Sequence, residues 1–536
     1  MVSGESGVTF SVLLRGLPVI LGALVVSLAA PAHAQWRMAE SRNFVIYSQG
    51  SEATLRQYAR TLELYDYVLR ARMGLPLDAP PARKLPIYLV PGTAALREIR
   101  PDIGFEVAGF YVPATEGIFA TAIRDRDMDS LLHEYFHHFS FQIGAAEMPG
   151  WMIEGLAEYF MTAEVRDNVI RVGDFNRNRA DWLLYETWIP LDALLSKRPG
   201  EIPRGSQQNT YYPVAWLLTH WFMSDDARRN QLAAYVNAVH GGADPVRAME
   251  AATGLSLREL RSQLRVYMNR SLRVLVYEVD RPEPEIEITV LPASANDLLL
   301  LAQRLKAGVP DDQRAATAAL VRQRAARHPD DGFAMLQLGH AELHFGDAEV
   351  GETVLRQLLE RDPANVEALQ LMASRQMQLA RETTDDARPY LLNAQNYLRR
   401  AYAADPQQYY TLYLLAQVRE SAPDYPTEND LLTWSLAFER APQLPGTRLG
   451  YASAMMRNGE FEPAIRLLRP LANAPHGGSA GEAARELLSR AEAGEPPLTR
   501  EEIEAAGDTS VEPAPEEAPE PPAGGGEDDA SEGAEA

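Results

Sequence analysis

Met128-Asp129-Ser130-Leu131-Leu132-His133-Glu134-Tyr135-Phe136-His137-His138-Phe139 gives the way into the rest of the chain. Met128, Leu131, Leu132, Tyr135, Phe136 and Phe139 fall at the three- and four-residue spacing of one buried helical stripe. Asp129 or Ser130 is placed to cap the first turn. In that helix His133 and His137 are four residues apart, so both imidazoles leave the same face. Glu134 sits beside them, within reach of a water on a metal that the two rings share. This H-E-x-x-H pattern supplies two neutral nitrogen ligands and a carboxylate that can accept a proton from that water.

A zinc site of this kind needs a third protein ligand, with one position left open. After a Pro149-Gly150 turn, Trp151 to Phe160 forms a second short helix, with Glu154 and Glu158 on one face. The intervening loop lets that helix fold back on the first, and Glu154 can then complete the ligand set.

H-E-x-x-H followed by W-x-x-E-G-x-A-E-Y resembles the gluzincin metallopeptidases, particularly the bacterial peptidase MA-like group and, more distantly, the M1 aminopeptidases. The resemblance implies Zn²⁺ ligands at His133, His137 and Glu154, a general base at Glu134, and an acidic residue behind the ligands at Glu158. It also implies a zincin-like α+β fold, a mixed sheet followed by metal-binding helices. In that fold the strand before the metal helix commonly lines the cleft and pairs with extended substrate; here it would be Gly117–Ala122. A tyrosine ahead of a later helix would stabilise the oxyanion, and Tyr212, four residues before Trp216, matches best, with Tyr211 as competitor. Sixteen residues separate His137 from Glu154, slightly fewer than in the M1 enzymes. His138, His220 and His240 read as structural histidines.

The chain has 536 residues, enough for two or three domains, and no cysteine, so any zinc must sit on His and carboxylate. Of the net charge of −23, −13 belongs to Glu501–Ala536, which holds acids and no bases. Neither part offers the basic field that nucleic-acid binding requires. Arg15, the apolar run Leu17–Ala30 and the small-x-small site Ala32-His33-Ala34 read as an export signal. A secreted or periplasmic protein starting at Gln35 is expected, membrane-bound only if that segment stays uncleaved.

Strands are expected at Asn43–Tyr47 and Leu85–Val90, with a helix over Glu52–Met73 between them. Phe110–Val112 and Gly117–Ala122 form a hairpin turning at Pro113–Glu116. The catalytic domain is expected over 35–279. A Pro/Glu-rich linker follows over 280–293, an all-α helical repeat domain over 294–494, and an acidic disordered tail over 495–536. In the repeat domain, Pro329-Asp330-Asp331-Gly332 recurs 34 residues on at Pro363, with weaker echoes at Pro406 and Pro442. Leu338-Gly339 and Ala341 stand where the first helix of a tetratricopeptide repeat carries such residues, a resemblance that implies a protein-binding solenoid. The expected function is peptide-bond hydrolysis, with a peptide or protein as substrate and a partner recruited by the repeats. The rival is an inactive zincin-fold scaffold of the cell envelope.

Overall fold

The computed structural model describes residues 35–498 apart from 105–106, 125–127, 144–147, 167, 176, 271, 280–282 and 475–477. The expected signal segment and nearly all of the acidic tail lie outside the described residues. β1 (Arg37–Glu40) and β2 (Phe44–Ser48) pair antiparallel. Ser51 accepts from the Thr54 amide and so starts α1 (Glu52–Arg72), which carries Glu52 in its first turn and Arg70 and Arg72 in its last, as the helix dipole favours. The chain then returns as β3 (Leu85–Val90), parallel to β2. After α2 (Thr93–Ile99) comes the hairpin β4 (Gly109–Ala114) and β5 (Gly117–Ile123), turning on Thr115 and Glu116.

The sheet order corrects one expectation. β5 runs parallel to β3 and antiparallel to β4, so both of its edges are taken. It cannot pair with a further strand. The edge belongs to β4, which carries Pro113 where a missing N–H is tolerated.

α3 (Asp129–Gln142) and α4 (Gly150–Met161) follow the sheet. Neither Asp129 nor Ser130 caps α3: Met128 enters it already in helical geometry, and no side chain closes the first turn. Tertiary contacts anchor the helix instead. The Tyr135 hydroxyl donates to Asp66 Oδ1 at 2.6 Å, and Arg70 holds the other oxygen of Asp66 at 2.7 Å. A second sheet, β6 (Glu164–Arg166), β7 (Val169–Val172) and a later strand, is antiparallel throughout. Between its strands run α5 (Arg177–Tyr185), α6 (Leu191–Ser196), α7 (Ser206–Asn209), α8 (Tyr211–Met223), α9 (Asp226–His240), α10 (Pro245–Thr253) and α11 (Leu257–Met268). β8 (Leu275–Glu278) closes that sheet against β7. α4 and α8 are both buried nearly throughout. They meet at Gly155, where a Cβ would come within 2.6 Å of the Ala215 carbonyl oxygen, so only glycine allows this approach.

The Pro/Glu-rich stretch is not a free linker. Within it β9 (Glu287–Val290) pairs antiparallel with β1 and becomes the other edge of the first sheet. Among the described residues, eleven α-helices follow: α12 (Ala295–Ala307), α13 (Arg314–Ala325), α14 (Gly332–Phe345), α15 (Ala348–Arg361), α16 (Val366–Glu382), α17 (Arg388–Ala404), α18 (Tyr409–Gln417), α19 (Glu428–Arg440), α20 (Pro445–Arg457), α21 (Phe461–Ala472) and α22 (Gly478–Glu492). They pack as consecutive hairpins, α14 with α15, α16 with α17, α18 with α19 and α20 with α21, while α12, α14, α16 and α18 stack in turn. The first helices of those four hairpins begin 34, 43 and 36 residues apart, the spacing read from the prolines. Pro292 and Pro475 stand three residues before α12 and α22, the same offset as the four prolines before α14, α16, α18 and α20.

The helical region shares its core with the sheets. Leu299 and Leu300 cluster with Trp36, Tyr88 and Phe119, while Leu398 and Leu414 join the main core. A large apolar side chain fully buried contributes about 1.5–3 kcal/mol. The half-exposed Arg324–Glu98 ion pair across the same seam contributes about 0–1 kcal/mol. Apolar packing therefore holds the two regions together. No helix among the described residues is long and apolar enough to cross a membrane.

Candidate metal centre

α3 and α4 bring His133, His137 and Glu154 together. His137 Nε2 lies 3.1 Å from His133 Nε2, and Glu154 Oε2 lies 3.5 Å from each. Ligands held about 2.0–2.1 Å from a tetrahedral ion stand about 3.3–3.5 Å from one another, so the three donors fit a zinc ion without rearrangement. The set is two imidazoles and one carboxylate, which suits Zn²⁺. Glu154 is fully buried, whereas 12% of the His137 side chain is exposed, so the site opens to solvent on the His137 side. Glu134 is half-buried on the same helix, adjacent to His133.

Glu158, one turn after Glu154, stands behind His133, with Oε1 3.4 Å from His133 Nδ1. Arg179 reaches the same oxygen at 3.2 Å. Burial would raise the Glu158 carboxyl, but Arg179 and then His133 hold it below the usual carboxylate range. Burial opposes charge on His133, yet the nearby carboxylates of Glu154 and Glu158 hold that ring well above the ordinary histidine value. Such a pocket stabilises positive charge, in a proton or in a metal ion.

The two tyrosines of α8 part company. The Tyr211 hydroxyl donates to the Lys197 carbonyl at 3.0 Å and is committed there. The Tyr212 ring centre lies 6.3 Å from that of His133, with the Arg179 guanidinium 5.1 Å over its face. Sequence reading missed Arg179 altogether: it lies 21 residues beyond Glu158, past two strands, and no motif marks it.

His138 and His220 are taken up by packing. His138 is bridged between the Tyr111 hydroxyl and the Gln142 amide, each at 3.0 Å, and burial pushes its pKa down to about 3. His220 lies between the Tyr267 hydroxyl at 2.8 Å and the Gly173 carbonyl at 3.0 Å. His240 is exposed at the end of α9.

No protein-family model and no curated protein matches the chain. Among solved structures, a thermophilic TPR protein in Thermus thermophilus is similar at 18% identity, over 37% of this chain and 100% of its own, with a TM-score of 0.31. A likeness at that score carries no argument about fold or function.

Proposed function

We propose that the chain is an extracytoplasmic zinc-dependent peptidase of the gluzincin kind, a zincin-like catalytic half joined to tetratricopeptide-like helices that recruit a protein substrate or partner. The observation behind this reading is the 3.1–3.5 Å triangle of His133, His137 and Glu154, with Glu134 the next residue after His133 in α3. When bound there, Zn²⁺ supplies Lewis acidity and lowers the pKa of water from about 15.7 towards ~7.

The chain's own residues do the rest. Glu134 accepts a proton from the attacking water and later passes it to the leaving amine. Glu158 faces His133 Nδ1, keeps that nitrogen protonated and so leaves the Nε2 lone pair for the ion. Arg179 offsets the Glu158 charge and supports the Tyr212 ring from one face. The Tyr212 hydroxyl donates to the oxyanion that develops on the scissile carbonyl. β4, at the sheet edge, offers backbone groups to an extended substrate.

The test is the zinc content of the purified full chain beside Glu154→Ala. The variant is expected to hold about one zinc per chain fewer than the parent. Equal zinc in two folded proteins overturns the reading.

A further inference from the structure

A second histidine pair lies far along the sequence. His340 and His344 stand four residues apart on α14, their ring centres 5.3 Å apart, and they face the β4–β5 turn. From that turn Glu116 reaches toward them, with Oε2 3.0 Å from His340 Nε2. One donor atom from each of Glu116, His340 and His344 lies within 4.8 Å of the others.

We propose that Glu116, His340 and His344 form a second Zn²⁺ site, which fastens the β4–β5 turn to the helical region. Both Nε2 atoms are buried without a hydrogen-bond partner, and the His340 side chain is 4% exposed. The close contact of His340 Nε2 with Glu116 therefore lacks hydrogen-bond geometry. His340 Nε2 has only the ion-pair contact with the Glu116 carboxylate and His344 Nε2 has no partner, an arrangement that a cation satisfies through all three groups.

The surrounding charges do not compete for it. Glu342, between the two histidines, is held by Arg322 at 2.6 and 2.8 Å. Lys306 is paired with Glu367 at 2.7 Å and Arg375 with Glu352 at 3.1 Å. The site lies where it can act on the sheet, because the same turn begins β5 and ends β4, the edge strand. The Tyr409 hydroxyl already holds the turn through the Thr115 carbonyl at 2.9 Å.

The experiment strips the full chain with chelator, reloads it with Zn²⁺ alone, and counts zinc after desalting. It uses Glu154→Ala as background, so the first site is silent. This chain is expected to retain about one zinc, and to lose it on adding either His344→Gln or Glu116→Gln. Proteolysis at the β4–β5 turn should slow on zinc addition in the background chain, and not in the two derived from it. A background chain without zinc, or zinc retained through both added changes, overturns the second site. Failure of the first site reads differently, as equal zinc in the parent and Glu154→Ala. Glu116, 24% exposed on a turn, keeps the test open should the histidine change prevent folding.

Discussion

Two helices of this chain carry histidines four residues apart, and each pair meets a glutamate from another element, but the surroundings differ. At the first pair the next residue is Glu134, a half-buried carboxylate, and Glu158 and Arg179 stand behind the ring of His133. At the second the residue after His340 is Ala341, and the carboxylate two residues on from His340, Glu342, is locked to Arg322. On the proposed reading the first has the carboxylate that hydrolysis needs as a base, and the second has donors alone, from two regions to be held together. Both share the four-residue histidine spacing, so under this proposal the neighbouring acid decides between chemistry and fastening.

Tyr212→Phe tests that contrast with the largest expected effect. Loss of one oxyanion donor should lower kcat by about 10²–10³ with KM and zinc content nearly unchanged. Steady-state kinetics of the zinc-loaded protein read this, and an unchanged kcat removes Tyr212 from the site. Next, Glu158→Gln should weaken zinc at the first site by about 10–100-fold and leave the second untouched. Competition with a chelator of known affinity separates the two sites.

Two glycines test the frames around the sites. A Cβ at Gly155 would meet the Ala215 carbonyl, part of the backbone of α8, whereas one at Gly339 would meet the end of the Leu355 side chain at 2.6 Å. Backbone cannot yield and a leucine can. Gly155→Ala should therefore cost about 1–3 kcal/mol and Gly339→Ala less, as seen in thermal unfolding. Equal losses would show that both helix pairs give way alike.

The smallest effect concerns pH. Burial lowers the His220 pKa below its ordinary value. The unfolded chain therefore binds more protons between the folded value and about 6.5, and stability falls as pH drops through that window. It is complete above about 6.5. His220→Gln should flatten this decline, and a slope identical to the parent's would assign it to other groups.

Much of the site was legible because it is local. The stripe from Leu131 to Phe139 and the four-residue spacings of His133 with His137 and of Glu154 with Glu158 are properties of single helices, and helix periodicity states them directly. What depended on distant pairing was not legible. β4 rather than β5 takes the sheet edge because of which strands hydrogen-bond, and both segments look alike in hydropathy. β9 hides in Glu283-Pro284-Glu285-Ile286-Glu287-Ile288-Thr289-Val290 because it is mostly exposed. Ile286, Ile288 and Val290 do alternate with Glu285, Glu287 and Thr289, a strand signal that the neighbouring prolines and glutamates obscure, and backbone pairing with β1 holds it. Arg179 acts on Glu158 only once α5 folds back past β6 and β7. The pair His340 and His344 carried the same spacing signal as the first, but its third donor, Glu116, lies 224 residues earlier.

Peptidase chemistry in this chain stands or falls with Glu134. The deciding measurement is turnover of an unstructured protein substrate by Glu134→Gln beside the parent, at equal zinc loading. The variant is expected to keep its zinc and to lose about 10²–10⁴-fold in rate, the contribution of a positioned base. Turnover equal to the parent's, or zinc lost together with the carboxylate, would refute that role.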